Sequence, residues 1–365
     1  MRTQTSILIA AAALAGCVVG EGEPPPGSGV ATYLAAIEEL APPDVVRRAI
    51  TSAGGKIDQV WPNVGILRFK ATPAQSEHII GQPYFLVVEK VSQVKDASYH
   101  RFRPALDVEL GTQNTPWGIS RVGGPGTPTG GRLWVFDSGV DLSNPDLVVD
   151  LEQSTDIVAL LGGDQEPDTT HATAVAGVAA ALDNDRDVVG VAPGAIVVSV
   201  RVLDQDGNGR TDVLIAGLEY AINRADAGDV FNLSFAGEGT SAVIETAVAR
   251  VANRGVSVVL AAGNQGRDAG SFKPASTNHT GVYTVSAIDQ QGCLSAFSNY
   301  GDAVDFAAPG NDILTLRPGG GMVVFDGTSF SAPHVAGLLL SGQLTGDGTT
   351  PCDDVDENPE PIAHR

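Results

Sequence analysis

Basic residues are scarce in this chain: 22 Lys and Arg stand against 43 Asp and Glu, giving a formal charge of −21. Nucleic acid and anionic lipid surfaces both need a basic face, so this balance argues against either as a partner. The acidic surplus reads as a solvated surface. Cysteines are few as well. Cys17, Cys293 and Cys352 cannot build a disulfide scaffold. Cys17 sits in an N-terminal context of its own, and Cys293 and Cys352 stay open between a pair and two free thiols. The N-terminal apolar run, Ile7 to Leu14, is too short to stay in a bilayer as a spanning helix. What is present in quantity is apolar residues, at 43%, and 44 glycines. The first excludes a mostly disordered chain, and the second implies many tight turns. A length of 365 residues allows a substantial core and more than one folded unit.

Residues 1–17 carry a positive charge at Arg2, the short apolar run, and then small residues, the pattern of a secretory signal. Leu14-Ala15-Gly16-Cys17 resembles the bacterial lipobox, in which cleavage before the cysteine frees a thiol for lipidation. Ordinary signal cleavage beside an incidental cysteine is the alternative. Residues 18–40, Pro- and Gly-rich from Glu21 to Gly29, read as an extended tether. These features point to an exported chain, either a cell-envelope lipoprotein or extracellular after processing. Membrane contact is expected only through that lipid.

Residues 41–96 read as a small α/β unit. Helical spacing runs from Pro42 to Ala53, and a second helix follows the N-cap Thr72 up to Ile80. Alternating stretches Ile57–Trp61, Val64–Phe69 and Tyr84–Val91 read as strands. Residues 97–114 are polar and irregular, and read as an exposed connector. Residues 115–345 change character. Short apolar strands (Leu133–Phe136, Ile196–Val202, Val230–Phe235, Val256–Ala261, Val282–Ala287, Val304–Phe306) alternate with helices (Thr173–Leu182, Thr211–Asn223, Ser241–Asn253). That order implies a mostly parallel sheet covered on both faces. Residues 346–365 read as an acidic tail.

Reactive residues in such sheets belong just past strand ends. Asp137 directly follows Leu133–Phe136, His171 opens an Ala/Val-rich helix, and Ser329 lies between Gly327-Thr328 and the apolar run Val335–Leu340. Ser329 is thereby expected at a helix N-terminus, where unpaired N–H groups favour developing negative charge. Pro333 is expected in the first turn of that helix, where a missing N–H is harmless. An acid after a strand, or a histidine on a helix, is usually structural when alone. The order Asp, His, Ser, each at an element end, points to nucleophilic catalysis, and it is one of the known triad orders.

The motifs resemble the subtilisin-like serine proteases, in phrasing nearest the proteinase K branch. Leu133-Trp134-Val135-Phe136-Asp137-Ser138-Gly139-Val140 is similar to the family's aspartate motif, and His171-Ala172-Thr173-Ala174-Val175-Ala176-Gly177 to its histidine motif. Val189-Gly190-Val191-Ala192-Pro193-Gly194-Ala195, Asn232-Leu233-Ser234-Phe235-Ala236-Gly237, Ala261-Ala262-Gly263-Asn264, Phe297-Ser298-Asn299-Tyr300-Gly301 and Gly327-Thr328-Ser329-Phe330-Ser331-Ala332-Pro333-His334 follow in order. The resemblance implies an α/β, subtilisin-like three-layer fold with a mostly parallel sheet flanked by helices. It also implies that residues 41–96 are an inhibitor-type propeptide acting on its own chain, with autocleavage between Ala97 and Thr115.

By the same resemblance, Ser329 is the nucleophile, His171 the general base, Asp137 its orienter and Asn264 an oxyanion donor. Ser234, Phe235, Ala236, Gly237, Ala261, Ala262 and Gly263 would bind an extended polypeptide substrate. The chain would act as a monomer, and the chemistry requires no cofactor. Structural calcium is common in the family, but no metal ligands can be named here. Asp204-Gln205-Asp206-Gly207-Asn208-Gly209 superficially resembles an EF-hand start, yet Ile215 occupies the position of the bidentate acid, so it reads as a turn. Ala172, Ala174 and Ala236 depart from the family's usual residues. A surface lipoprotein that keeps the fold and acts by binding is the rival reading, and it predicts a missing triad or oxyanion residue. An α/β-hydrolase would need Gly-x-Ser-x-Gly, which Gly-Thr-Ser-Phe-Ser does not supply.

Overall fold

The computed structural model describes residues 29–96, 99–104, 112–164, 166–350, 352 and 359–365. The expected signal segment and Cys17 lie outside the described residues. Among those described, no helix is long and apolar enough to cross a membrane.

The N-terminal unit runs β1 (Ala31–Ile37), α1 (Pro43–Ser52), β2 (Lys56–Trp61), β3 (Ile66–Ala71), α2 (Pro73–Ile80) and β4 (Phe85–Lys90). Its sheet has the order β2-β3-β1-β4, with every pairing antiparallel. Val46 and Ile50 of α1 and Ile79 of α2 pack on Tyr33, Ala35, Leu67 and Phe69 from one face. Thr72 and Gln75 close a capping box that starts α2, each side chain meeting the other's backbone N–H. One boundary differs from expectation. Residues 31–37 are not tether but the central strand β1. Its alternation, three alanines included, becomes a strand only because β3 and β4 flank it, and neither partner is adjacent in sequence.

The main unit contains β5 (Gln93–Asp96), β6 (Tyr99–Pro104), α3 (Trp117–Arg121), β7 (Leu133–Asp137), β8 (Thr155–Asp156), α4 (Ile157–Leu160), α5 (Thr170–Ala180), β9 (Val197–Arg201), β10 (Asn208–Arg210) and α6 (Thr211–Ile222). It continues with β11 (Val230–Leu233), β12 (Phe235–Glu238), α7 (Ala242–Ala252), β13 (Ser257–Ala261), β14 (Phe272–Lys273), β15 (Val282–Ile288), β16 (Phe306–Pro309), β17 (Ile313–Leu316), β18 (Met322–Asp326), α8 (Thr328–Leu340), β19 (Thr345–Thr349) and β20 (Pro361–His364). The central sheet has the order β19-β20-β16-β15-β13-β11-β7-β9-β8. Its pairings are parallel except that of β19 with β20. Both faces are covered, which is why β7, β9 and β11 are buried at every position and are mostly apolar rather than alternating. Buried residues of α5 and α8 share one core with Val135, Val259 and Val285. Those of α6 and α7 share the other with Trp134, Phe136, Val200, Phe231 and Leu260, and the free face of the N-terminal sheet (Leu34, Ala36, Ile66) joins it. The fold is the three-layer α/β arrangement expected from the sequence.

Two other stretches carry structure where none was expected. The connector contains β6, which lies antiparallel to β18. Within the expected acidic tail, β19 and β20 extend the sheet, Ile362 and Ala363 are buried, and Cys352 is disulfide-bonded to Cys293. Ile362 and Ala363 are too few to signal a strand on their own among acidic neighbours, and the neighbouring strand supplies the rest.

Candidate active site

Three element ends converge. Asp137 is the last residue of β7, His171 the second of α5 and Ser329 the second of α8. Asp137 is fully buried, and both its carboxylate oxygens lie 2.9 Å from His171 Nδ1. Its Oδ1 also accepts the Ser138 N–H at 2.6 Å, while the Ser138 hydroxyl donates to the Asp168 carbonyl just ahead of α5. The aspartate loop and the histidine helix are therefore tied together. The Phe330 ring meets the imidazole edge-on, with centroids 5.4 Å apart, and stacks on Phe325. α5 and α8 pack directly against one another, so this ring fixes His171 relative to Ser329's own helix. Ala172 and Ala174 are fully buried in the same core, where their methyls pack without displacing His171 from Asp137.

Ser329 is fully buried, and its hydroxyl donates to the Ser234 carbonyl at 3.0 Å. Asn264 follows β13 by three residues. Its Oδ1 accepts the Thr328 N–H at 3.0 Å, and its buried Nδ2 has no hydrogen-bond partner among the described residues. A backbone N–H of α8's first turn thus sets the amide orientation, leaving a donor beside Ser329. Gly263 makes the approach feasible. Its φ of +103° suits glycine, and an added Cβ would lie 2.4 Å from Asn299 Nδ2. Asn299 braces the loop, accepting the Gln265 and Arg267 N–H groups and donating to the Ala262 carbonyl. The Thr328 hydroxyl accepts the Gly263 N–H at 3.1 Å. Thr328 and Asn299 both lie in recognised motifs, but nothing in their spacing shows that their side chains hold the loop.

Of the expected substrate-binding residues, Phe235, Ala236 and Gly237 form β12, Ala261 ends β13, and Ala262 and Gly263 lead to Asn264. β5 lies antiparallel to β12, with Asp96 opposite Phe235 and Lys95 opposite Ala236, and β10 flanks β5 on its other edge. A polypeptide strand of this chain thus already occupies the slot expected for substrate. Ser234 differs from its companions. Its buried hydroxyl turns inward, donating to the Ser329 carbonyl at 2.8 Å and accepting from Asn232 Nδ2 at 2.8 Å. Pro333 is also displaced from expectation: α8 begins at Thr328, so the proline is its sixth residue and lies beyond the first turn.

Among the described residues, no group of three His, Cys, Asp or Glu side chains converges to hold a metal ion. In the 204–209 loop, Asp204 Oδ1 accepts the Asp206 and Asn208 N–H groups at 2.9 and 2.8 Å. That carboxylate closes its own turn.

Residues 132–341 match the model of the subtilase family, Peptidase_S8. Subtilisin amylosacchariticus from Bacillus subtilis subsp. amylosacchariticus is 35% identical over 245 residues, 64% of this chain and 63% of its own length. Proteinase R from Parengyodontium album is 30% identical over 339 residues, 88% of this chain and 78% of its own. A crystal structure of a cold adapted subtilisin-like serine proteinase superposes with a TM-score of 0.57 at 29% identity, covering 69% of this chain and 97% of that one. With its ordered motifs, its parallel sheet and these similarities, the chain belongs to the subtilase family.

Proposed function

We propose that the chain is a serine endopeptidase that hydrolyses polypeptides through Asp137, His171 and Ser329, with Asn264 in the oxyanion hole. The observation that carries this reading is the buried Asn264 amide, turned by Thr328 to stand beside Ser329 while Asp137 grips His171. Ser329 Oγ bonds to the scissile carbonyl carbon as its proton passes to His171 Nε2. The oxyanion meets Asn264 Nδ2 and the Ser329 N–H. Collapse breaks the C–N bond, and His171 returns the proton to the departing amine. Water then repeats the sequence on the acyl-enzyme, restoring Ser329. Asp137 holds the Nδ1–H tautomer and stabilises the imidazolium without itself taking the proton. Every step uses the chain's own groups, and calcium enters none of them.

The N-terminal unit acts as an intramolecular inhibitor in this reading. β5 runs along β12 and β6 along β18, whose end lies three residues before Ser329. The chain thus enters the site on one side and leaves on the other, which supports self-cleavage within residues 97–114. The protein is exported as a monomer, with Cys17 as its lipid anchor. Labelling by a fluorophosphonate probe tests the enzyme: wild type is expected to process and become labelled, and Ser329→Ala to do neither. An unprocessed, unlabelled wild type would overturn the reading. Mass spectrometry of the N-terminus of the unprocessed Ser329→Ala chain tests the anchor, and a start at any residue other than a diacylated Cys17 refutes it.

A further inference from the structure

Arg201, the last residue of β9, stands beside Asp137 in the parallel register of β9 with β7. Directly after it, the N–H groups of Val202 and Leu203 both donate to the Asp137 carbonyl, at 2.8 and 3.2 Å. The side chain goes elsewhere. Arg201 is only 2% exposed, yet each of its five N–H donors has an acceptor. Nε donates to the Leu203 carbonyl at 3.3 Å. Nη1 donates to Asp156 Oδ2 at 2.9 Å and the Asp164 carbonyl at 3.1 Å. Nη2 donates to Asp164 Oδ2 at 2.8 Å and the Glu166 carbonyl at 3.2 Å.

All but the first of these acceptors belong to the approach to α5. Between α4 and α5 the described residues form no helix or strand of their own, so side chains must hold them. His171 stands five residues after Glu166. In that interval the Asp168 carbonyl accepts the Ser138 hydroxyl at 2.6 Å, and its Oδ1 accepts the Thr170 N–H at 2.9 Å. A Cβ added to Gly139 would lie 3.3 Å from Pro167 Cβ and 3.6 Å from Arg201 Cδ. The aspartate loop, the approach to α5 and the arginine stem therefore meet at one point. Both halves of the Asp137–His171 pair are tied to Arg201, one through the backbone beside it and the other through its fork. A lysine ammonium is a point donor and cannot span these acceptors. None of the groups belongs to the N-terminal unit.

We propose that Arg201 is a positioning residue for the triad: its fork fixes the approach to α5 and so keeps His171 Nδ1 against both oxygens of Asp137. This rests on the protease reading above. Arg201 touches no reacting atom and acts through His171 alone. Without the fork, the imidazole is placed less well toward Ser329, and its imidazolium form loses part of the carboxylate that stabilises it.

The test compares kcat, KM and the pH dependence of kcat/KM on one peptide, using full-length protein that has processed itself. Arg201→Met keeps much of the stem and removes every donor. Its kcat is expected to fall about 30- to 100-fold, with KM changed less than about twofold. The acid limb of kcat/KM is expected to move to lower pH by about half a unit, because a less stabilised imidazolium gives up its proton more readily. Arg201→Lys should recover only part of kcat. Asp164→Ala removes one carboxylate from the fork and leaves Arg201 in place. It should move kcat and the acid limb in the same directions by less, and it decides the matter if Arg201→Met fails to fold or to process. A kcat within about twofold of wild type, or a KM that rises as far as kcat falls, would overturn the proposal. So would an acid limb that stays in place while kcat and melting temperature drop, since Arg201 would then support the fold alone. A wild type that neither processes nor reacts with the fluorophosphonate would instead mean that the protease reading itself has failed.

Discussion

The Ser234 hydroxyl makes the hydrogen bond to the Ser329 carbonyl that Pro333 cannot make. In α8 that carbonyl would normally accept the N–H four residues on, but residue 333 is a proline inside the helix and has none. Ser234 Oγ takes its place at 2.8 Å, held in turn by Asn232. A buried carbonyl in the first turn of α8 is thereby satisfied from the residue that joins β11 to β12. Ser234→Ala is expected to lower stability by about 1–3 kcal/mol, the penalty of an orphaned buried acceptor. Its kcat is expected to fall about tenfold with less change in KM, as Ser329 loses its fixed orientation. Adding Pro333→Ala restores a helical N–H, so the double variant should recover part of the loss in a double-mutant cycle. Strict additivity of the two changes would show that the hydroxyl and the proline are unrelated.

Asn264→Ala removes the one donor whose orientation Thr328 fixes from the first turn of α8. The expected loss in kcat is about 10²–10³, the range known from subtilisin itself, with KM little altered. Thr328→Val tests the same geometry from its other side. It keeps the N–H that orients Asn264 but leaves the Gly263 N–H without the hydroxyl acceptor at 3.1 Å, so a smaller loss is expected. Steady-state kinetics on one peptide compares them, and equal losses would contradict the separate roles.

The sheet and the placement of Asp137, His171, Asn264 and Ser329 at or just past element ends were legible because both follow local rules. Apolar strands buried on two faces leave continuous runs, and Asp137 and Asn264 each fall just beyond such a run. His171 and Ser329 open helices whose small residues signal close packing. What stayed hidden depends on partners far away in sequence. β1 needs β3 and β4, β20 needs β16, and the closure of Cys293 on Cys352 spans 59 residues. The backbone place of Ser234, directly before β12, was legible from its motif. The inward turn of its hydroxyl follows from Pro333, almost a hundred residues later, and no pattern around residue 234 carries that information.

His334 should make stability fall in acid. It is fully buried in α8, shares a 2.7 Å hydrogen bond with the Phe330 carbonyl, and burial lowers its pKa from 6.5 to about 4. Between those values the unfolded imidazole holds a proton that the folded one does not. Its contribution is therefore fully present above about pH 6.5 and declines as pH falls toward 4, by ~3 kcal/mol in all. Melting curves of the Ser329→Ala form across this window should slope accordingly, and His334→Gln should flatten the slope. An identical slope in both proteins would assign the acid sensitivity elsewhere.

Breaking Cys293–Cys352 should loosen the end of the sheet. The bond joins the turn after β15 to the segment between β19 and β20, so it restrains an unfolded loop of 59 residues. Serine at both positions is expected to cost about 2–4 kcal/mol. That corresponds to a melting temperature lower by about 5–10 °C in the Ser329→Ala background. An unchanged melting temperature would mean that β20 is held by its pairing and by Ile362 and Ala363 alone.

Arg250 of α7 clamps the N-terminal unit through its backbone. Its guanidinium donates to the Val64 carbonyl at 2.7 Å and to the Ile37 carbonyl at 2.5 Å. Glu219 of α6 meets the same turn from its opposite polarity, accepting the N–H groups of Asn63 and Val64 at 2.9 and 3.0 Å. Donor and acceptor thus grip one loop from two helices, so neither can be lost without stranding backbone groups at the interface. Arg250→Ala is expected to weaken the seat of the unit by about 2–3 kcal/mol, because charge-assisted bonds are lost and two carbonyls are left unpaired. Hydrogen exchange in the Ser329→Ala chain reads this directly. Protection of the Val64 amide should fall by about 30- to 150-fold, while β7 and β13 keep theirs. Uniform loss across the central sheet would instead mark Arg250 as a support of the main unit.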